Sequence, residues 1–252
     1  MSILNSTDFM SFDGNILKIH QMGSGRPILL LHGLFSSAEM NWIKFGHAQA
    51  LCNAGFHVVM PDFRAHGQSS APHDPAAYPN DVLVQDILCL LDYFAWDDYD
   101  LAGFSLGART TAKLLTNGVK PNRAILTGMG WQGLSGWDGR RQFFIDAIDK
   151  RETVKRGDAH WFAVQFMKSQ KIDPIAARLL LNSFGSMDVD ALLKIDLPMA
   201  VICGRDDDDN GSAPLLAEKL SNAIYYEISG THMSSVVETD LSGKMIEFLQ
   251  QT

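Results

Sequence analysis

The run Pro27-Ile28-Leu29-Leu30-Leu31 is apolar at odd and even positions alike. A strand with one wet face alternates, so a run apolar on both faces must be covered on both, as in the centre of a parallel sheet flanked by helices. Gly23-Ser24-Gly25 breaks the chain just before it. Upstream, Phe9–Phe12 and Ile16–Gln21 flank Asp13-Gly14, a pair that favours a type I′ hairpin turn. Downstream, strand and helix patterns alternate. Residues 41–53 read as a helix ended by Gly55, residues 57–60 as a strand, and residues 82–94 as a helix with Val82, Ile87, Leu90, Leu91 and Phe94 on its apolar side. A short strand over 99–102, a helix over 106–116 closed by Asn117-Gly118, and a strand over 123–126 continue the rhythm.

The rhythm stops at residues 130–197, which carry many aromatic and helix-like positions and no strand pattern. It resumes with a strand over 199–203, a helix over 214–220, a strand over 224–228 and a helix over 236–249. The expected architecture is α/β: a doubly wound, mostly parallel sheet carrying a helical insertion. The 252 residues suffice for one such domain. No repeat or low-complexity linker interrupts it, only a Pro/Ala/His-rich loop over 71–79.

Composition narrows the partners. With a formal net charge of −8, the chain repels phosphate backbones and anionic membranes, which argues against nucleic-acid and membrane binding. The first ten residues lack the basic and apolar regions of a signal peptide, and no apolar run approaches the ~18 residues of a membrane span. Cys52, Cys89 and Cys203 are widely spaced within apolar runs, which reads as buried reduced thiols and a cytoplasmic location. The expected partner is a small-molecule substrate, with no cofactor and no metal. The oligomeric state is not legible.

Gly103-Phe104-Ser105-Leu106-Gly107 fits G-x-S-x-G, directly after one expected strand and directly before an expected helix. So tight a turn strains the serine backbone and lifts its hydroxyl clear of the sheet, and the flanking glycines avoid clashes with strand and helix. The competing reading of the pentapeptide is a glycine-flanked serine N-cap, which the strand–turn–helix context disfavours. A serine nucleophile needs a base, and the base an orienting acid. Of the two histidines after Ser105, His160 lies in the aromatic insertion, whereas His232 follows a strand end at Gly230-Thr231. Catalytic groups of open α/β sheets gather at such ends, so His232 is the expected base. The acid is expected among Asp206, Asp207, Asp208 and Asp209, which follow the strand over 199–203. Asp206, Asp208, Asn210 and Gly211 also fit half of an EF-hand loop, but Ala217 stands where that loop needs a bidentate carboxylate. For the oxyanion, the Leu106 N–H at the helix start and the Leu34 N–H are the expected donors, with Phe35 as second choice to Leu34. His32 reads as structural.

LHGLF at 31–35, DFRAHGQSS at 62–70, GFSLGA at 103–108, GRDD at 204–207 and GTH at 230–232 together resemble the α/β-hydrolase superfamily, in its esterase, lipase and C–C hydrolase branch with a small helical cap. The resemblance implies an eight-stranded sheet with a cap inserted after strand 6: core residues 1–130 and 197–252, cap residues 131–196. It aligns the family acid with Asp207, with Asp206 second. It implies a serine hydrolase cleaving a carboxylic ester with a small to medium, largely apolar acyl group. The alternatives it leaves are a C–C hydrolase of dienone acids, for which Arg109 is the nearby carboxylate-binding candidate, a haloperoxidase-like perhydrolase, and a ligand-binding receptor. Epoxide hydrolases and haloalkane dehalogenases of this family use an aspartate where Ser105 stands. One departure is Ala65, where relatives carry glycine. For the substrate pocket the expectation is Phe35, Phe104, Trp131 and Met233. About a quarter of the insertion's aromatic residues Trp131, Trp137, Phe143, Phe144, Trp161, Phe162, Phe166 and Phe184 should touch substrate. Arg140 and Arg141 could bind a carboxylate, but the favoured expectation for both is a solvated surface.

Overall fold

The structure, a computed structural model, describes residues 3–251. The N-terminal hairpin pairs β1 (Asn5–Met10) with β2 (Ile16–Gly23), Asn5 opposite Gln21 and Met10 opposite Ile16. Its turn is not type I′. The Ser11 N–H donates to the Asn15 carbonyl at 2.8 Å, and Gly14 (φ 85°) takes the left-handed conformation while Asp13 does not. The result is a three-residue loop with glycine at its left-handed position. Asp13 is held by its carboxylate instead, which pairs with the buried Arg64 at 2.6 Å.

β3 (Arg26–Leu31) is followed by a π-helical turn (Glu39–Ile43) and α1 (His47–Asn53). These replace the single helix expected over 41–53, because Gly46 (φ 83°) reverses the backbone between them. β4 (Phe56–Pro61), α2 (Val82–Phe94), β5 (Asp100–Phe104), α3 (Leu106–Thr116) and β6 (Ala124–Thr127) come next. α4 (Trp131–Ser135), α5 (Trp137–Asp149), α6 (Trp161–Ser169), α7 (Pro174–Asn182) and α8 (Val189–Leu192) then intervene before β7 (Met199–Gly204). The chain closes with α9 (Ala213–Lys219), β8 (Ala223–Ile228) and α10 (Thr239–Leu249). A 3₁₀ turn at Ser235–Val237 takes the first part of the helix expected over 236–249, because Glu238 (ψ 129°) is extended. The sheet order is β1-β2-β4-β3-β5-β6-β7-β8, antiparallel across β1, β2 and β4 and parallel thereafter. This is the eight-stranded, mostly parallel sheet expected.

The apolar run of β3 does what its pattern requires. Leu29 and Leu31 pack with Leu101 of β5 and with Ile87 and Leu90 of α2 on one face. Ile28 and Leu30 pack with Trp42, Leu51 and Phe248 on the other. Each such side chain, fully withdrawn from water, stabilises the fold by about 1.5–3 kcal/mol. The thiols are less uniformly buried than their apolar neighbours imply: Cys203 is buried, whereas Cys52 and Cys89 are half-buried. Among the described residues no helix is long and apolar enough to cross a membrane.

The loop over 62–70 acts as a polar brace. Asp62 accepts from the N–H groups of Ala38 (2.8 Å) and Gln68 (2.9 Å). Arg64, fully buried, pairs with Asp13 and Asp86 and donates to the Ala77 carbonyl. Ala65, directly after Arg64, has φ 65°, a left-handed conformation that glycine adopts more readily. A left-handed alanine costs roughly 1–2 kcal/mol, and glycine in its place returns about 0.4–1 kcal/mol of that as unfolded-state entropy. Ala65→Gly is therefore expected to raise stability by about 0.5–1 kcal/mol in urea unfolding. An unchanged or lowered midpoint would contradict this.

Candidate active site

Ser105 sits between β5 and α3 with φ 53° and ψ −109°, a conformation that costs on the order of 1–3 kcal/mol. Its neighbours over-determine it. The Ser105 N–H donates to the Thr127 carbonyl at 2.9 Å, and its own carbonyl accepts from Arg109 N–H at 3.0 Å. Strand and helix meet so closely that a Cβ on Gly103 would lie 2.2 Å from the Gly107 carbonyl, and one on Gly107 would lie 2.0 Å from the Leu31 carbonyl oxygen. Those contacts are why G-x-S-x-G needs both glycines.

The backbone geometry delivers the hydroxyl to His232, whose Nε2 lies 3.0 Å from Ser105 Oγ. His232 Nδ1 donates to Asp207 Oδ2 at 2.9 Å. Asp207 stands at the end of β7 and is buried, while Asp206, the second candidate, is exposed. Burial alone would push the Asp207 carboxyl up, but the His232 hydrogen bond and charge, with hydrogen bonds from Cys203 Sγ and the Asp209 N–H (3.2 Å), hold it below the usual range. The Cys203 thiol, donating to Asp207 Oδ2 at 3.4 Å, is a member of this network that the sequence reading missed. Burial pushes that thiol up, so it remains a neutral donor.

The loop after β3 is pinned from three sides. Asn41 Oδ1 accepts the Gly33 N–H at 2.8 Å. His32 donates from Nδ1 to the Gly33 carbonyl (2.8 Å) and accepts the Phe63 N–H at Nε2 (2.8 Å), the structural role expected of it. His66 donates from Nδ1 to the Arg64 carbonyl (3.0 Å) and accepts the Phe35 N–H at Nε2 (2.9 Å). That last bond removes Phe35 from the candidate oxyanion donors. The N–H groups of Leu34 and Leu106 make no hydrogen bond among the described residues.

Ser105 and His232 open into a cavity of about 960 Å³ beneath α5 and α6. Phe35, Phe104 and Met233 line it. Trp131 does not. It starts α4 with its ring under Lys219 of α9 (4.9 Å), packed against the cluster that includes Leu126, Val201 and Leu216. Phe143, Phe144, Phe162 and Phe166, half of the insertion's eight aromatic residues, line the cavity. Arg109 is absent from the wall: it is buried beneath Trp137 and Phe184 and donates to the Gly185 carbonyl at 2.7 Å. Arg140, expected on a solvated surface, lines the cavity instead, because α5 turns its first-turn side chain inward over Phe144. His160 stacks on Phe143, away from the serine. Among the described residues no cluster of His, Cys, Asp or Glu is arranged to hold a metal ion.

A family profile described as alpha/beta hydrolase fold matches residues 26–125, which carry β3 through the nucleophile helix. The chain has the α/β-hydrolase fold. Over 100 residues the chain is 32% identical to epoxide hydrolase 2 of Siraitia grosvenorii, a match covering 39% of the chain and only 30% of that relative's length. Its fold is shared along nearly the whole chain. A hydrolase from Pseudomonas aeruginosa superposes with a TM-score of 0.77 at 22% identity, covering 98% of this chain and 99% of that one. An esterase from Exiguobacterium antarcticum gives 0.76 at 18% identity, over 97% and 98% of the two chains.

His66 generates a prediction. Burial, with His32 beside it, pushes its pKa down to about 3, so the folded protein keeps it neutral. An unfolded histidine protonates near 6.5, so the unfolded state takes up the proton first as pH falls. Stability should therefore decline from about pH 6.5 toward pH 3, by up to ~1.4 kcal/mol per unit for each such histidine. His66→Gln retains an acceptor for Phe35 N–H and should flatten the decline by about 1 kcal/mol per unit between pH 6 and 4. Urea melts across that range read the slope, and one equal to the parent's would refute the assignment.

Proposed function

We propose that the chain is a serine esterase that cleaves carboxylic esters with a largely apolar acyl group through an acyl-enzyme. The observation that carries the reading is the continuous chain from Ser105 Oγ through His232 to Asp207, at 3.0 and 2.9 Å, opening on an aromatic-lined cavity. Ser105 attacks the ester carbonyl while His232 Nε2 takes its proton. Asp207 holds the imidazole in the tautomer that leaves Nε2 able to accept, and stabilises the imidazolium. The N–H groups of Leu34 and Leu106 receive the developing oxyanion. His232 then protonates the departing alcohol, and in the second half-reaction it deprotonates the water that releases the acid. Residues 131–196 serve as a cap over the site.

The epoxide hydrolases among the relatives are similar over about two fifths of the chain, yet Ser105 stands where an epoxide-opening aspartate would be needed. C–C cleavage of a dienone acid through Arg109 is disfavoured, since Arg109 is withdrawn from the cavity. A receptor role gives no account of a strained serine aligned on a buried His–Asp pair.

Ser105→Ala is expected to lower kcat on p-nitrophenyl butyrate roughly 10⁴-fold or more, with the melting temperature retained. Asp207→Asn, which presents the wrong tautomer, should cost about 10⁴-fold, whereas Asp206→Asn should cost less than about threefold. Full activity in Ser105→Ala would refute the nucleophile, and equal losses at Asp206 and Asp207 would refute the acid.

A further inference from the structure

The cavity wall is mostly apolar, and its oppositely charged side chains, Arg140 and Asp209, meet where α5 approaches the loop after β7. Arg140 is the only lysine or arginine that lines it among the described residues. Its guanidinium lies over the Phe144 ring at 5.5 Å, and Nη1 donates to the backbone carbonyl of Asp209. The remaining donors are poorly matched. Nε is buried with no hydrogen-bond partner, and Nη2 comes only to 3.9 Å from the Asp209 carboxylate. The Asp209 side chain is 57% exposed, against 25% for Arg140, so the anion is hydrated while the cation sits against the aromatic wall.

We propose that Arg140 is an anion-binding residue of the substrate cavity, and that the preferred substrates are esters carrying a second, ionised carboxylate. This rests on Ser105 being the esterase nucleophile. The carboxylate is a spectator: the scissile acyl C–O bond breaks and water adds as in a neutral ester, while the distal anion pairs with the guanidinium. A guanidinium cannot shed its proton to escape an apolar wall, and its planar fork matches a carboxylate with two parallel hydrogen bonds. Burial pulls Arg140 downward against the opposing pull of Asp209 and Asp207, which agrees with a cation incompletely compensated by its surroundings. The position also links the two ends of a substrate. Arg140 holds the backbone of Asp209, whose N–H donates to Asp207, so the anion site and the acid of the triad share one loop. The neighbouring Arg141 pairs with Asp138 at 3.3 Å and is not part of the wall, so it serves as a control.

The test compares 4-acetoxybenzoate with 4-acetoxybenzamide, which differ in charge and little in shape. The ratio of their kcat/KM values should favour the anion in the parent and fall about tenfold or more in Arg140→Gln, mainly through KM. Arg140→Lys should retain part of the preference as a point charge, and Arg141→Gln should retain all of it. A ratio in Arg140→Gln within about twofold of the parent's overturns the anion site, as does preference for a cationic ester over both probes, which would hand recognition to Asp209. Turnover of both probes that survives Ser105→Ala would instead overturn the esterase reading. If neither probe is hydrolysed, calorimetry on Ser105→Ala with 4-hydroxybenzoate and 4-hydroxybenzamide decides: tighter benzoate binding lost in Ser105→Ala/Arg140→Gln supports the site, and equal binding of the two ligands overturns it.

Discussion

The site depends on a backbone conformation that a serine would not choose for itself. Ser105 holds φ 53° and ψ −109° because β5 and α3 are packed so closely that nothing larger than glycine fits at 103 and 107. The sheet supplies the rigidity for this. β5 is buried at every residue and bonded to β3 and β6 on either side, so the strain at its end cannot relax by moving the strand. The strained turn is what aims Oγ at His232 and leaves the Leu106 N–H unspent at the start of α3.

A second constraint is the polar brace under the oxyanion loop. Asp62, Arg64 and His66 alternate along one loop, and each ties a different segment: Asp62 the residues after Phe35, Arg64 the N-terminal hairpin and α2, His66 the Phe35 N–H itself. His32 and His66 each use one ring nitrogen as donor and the other as acceptor, an arrangement available only to neutral imidazole. The loop geometry therefore depends on two histidines remaining uncharged in a buried site.

Much of this was legible in the chain. The bounds of α2 and α3 follow from their apolar spacing and terminal residues, and the five short motifs in order carry Ser105, Asp207 and His232 to neighbouring loops. What failed did so for tertiary reasons. A helical pattern over 41–53 is interrupted by the backbone at Gly46, and Asp13 gives up the expected turn to pair with Arg64, 51 residues away. Trp131 packs beneath Lys219 of α9 and Arg140 over Phe144, placements set by contacts between helices that no local pattern encodes. Cys203 reads as one more apolar strand residue, and only the fold reveals its thiol beside Asp207.

The central claim is that the Ser105 hydroxyl is the group that accepts the acyl chain. Peptide mapping after treatment with a fluorophosphonate probe tests it most directly, since such probes phosphonylate a serine only where a base activates it. The account predicts one equivalent of label, located on Ser105 and abolished by Asp207→Asn or prior heat unfolding. Label on another residue, or none on a folded protein with His232 in place, would contradict it.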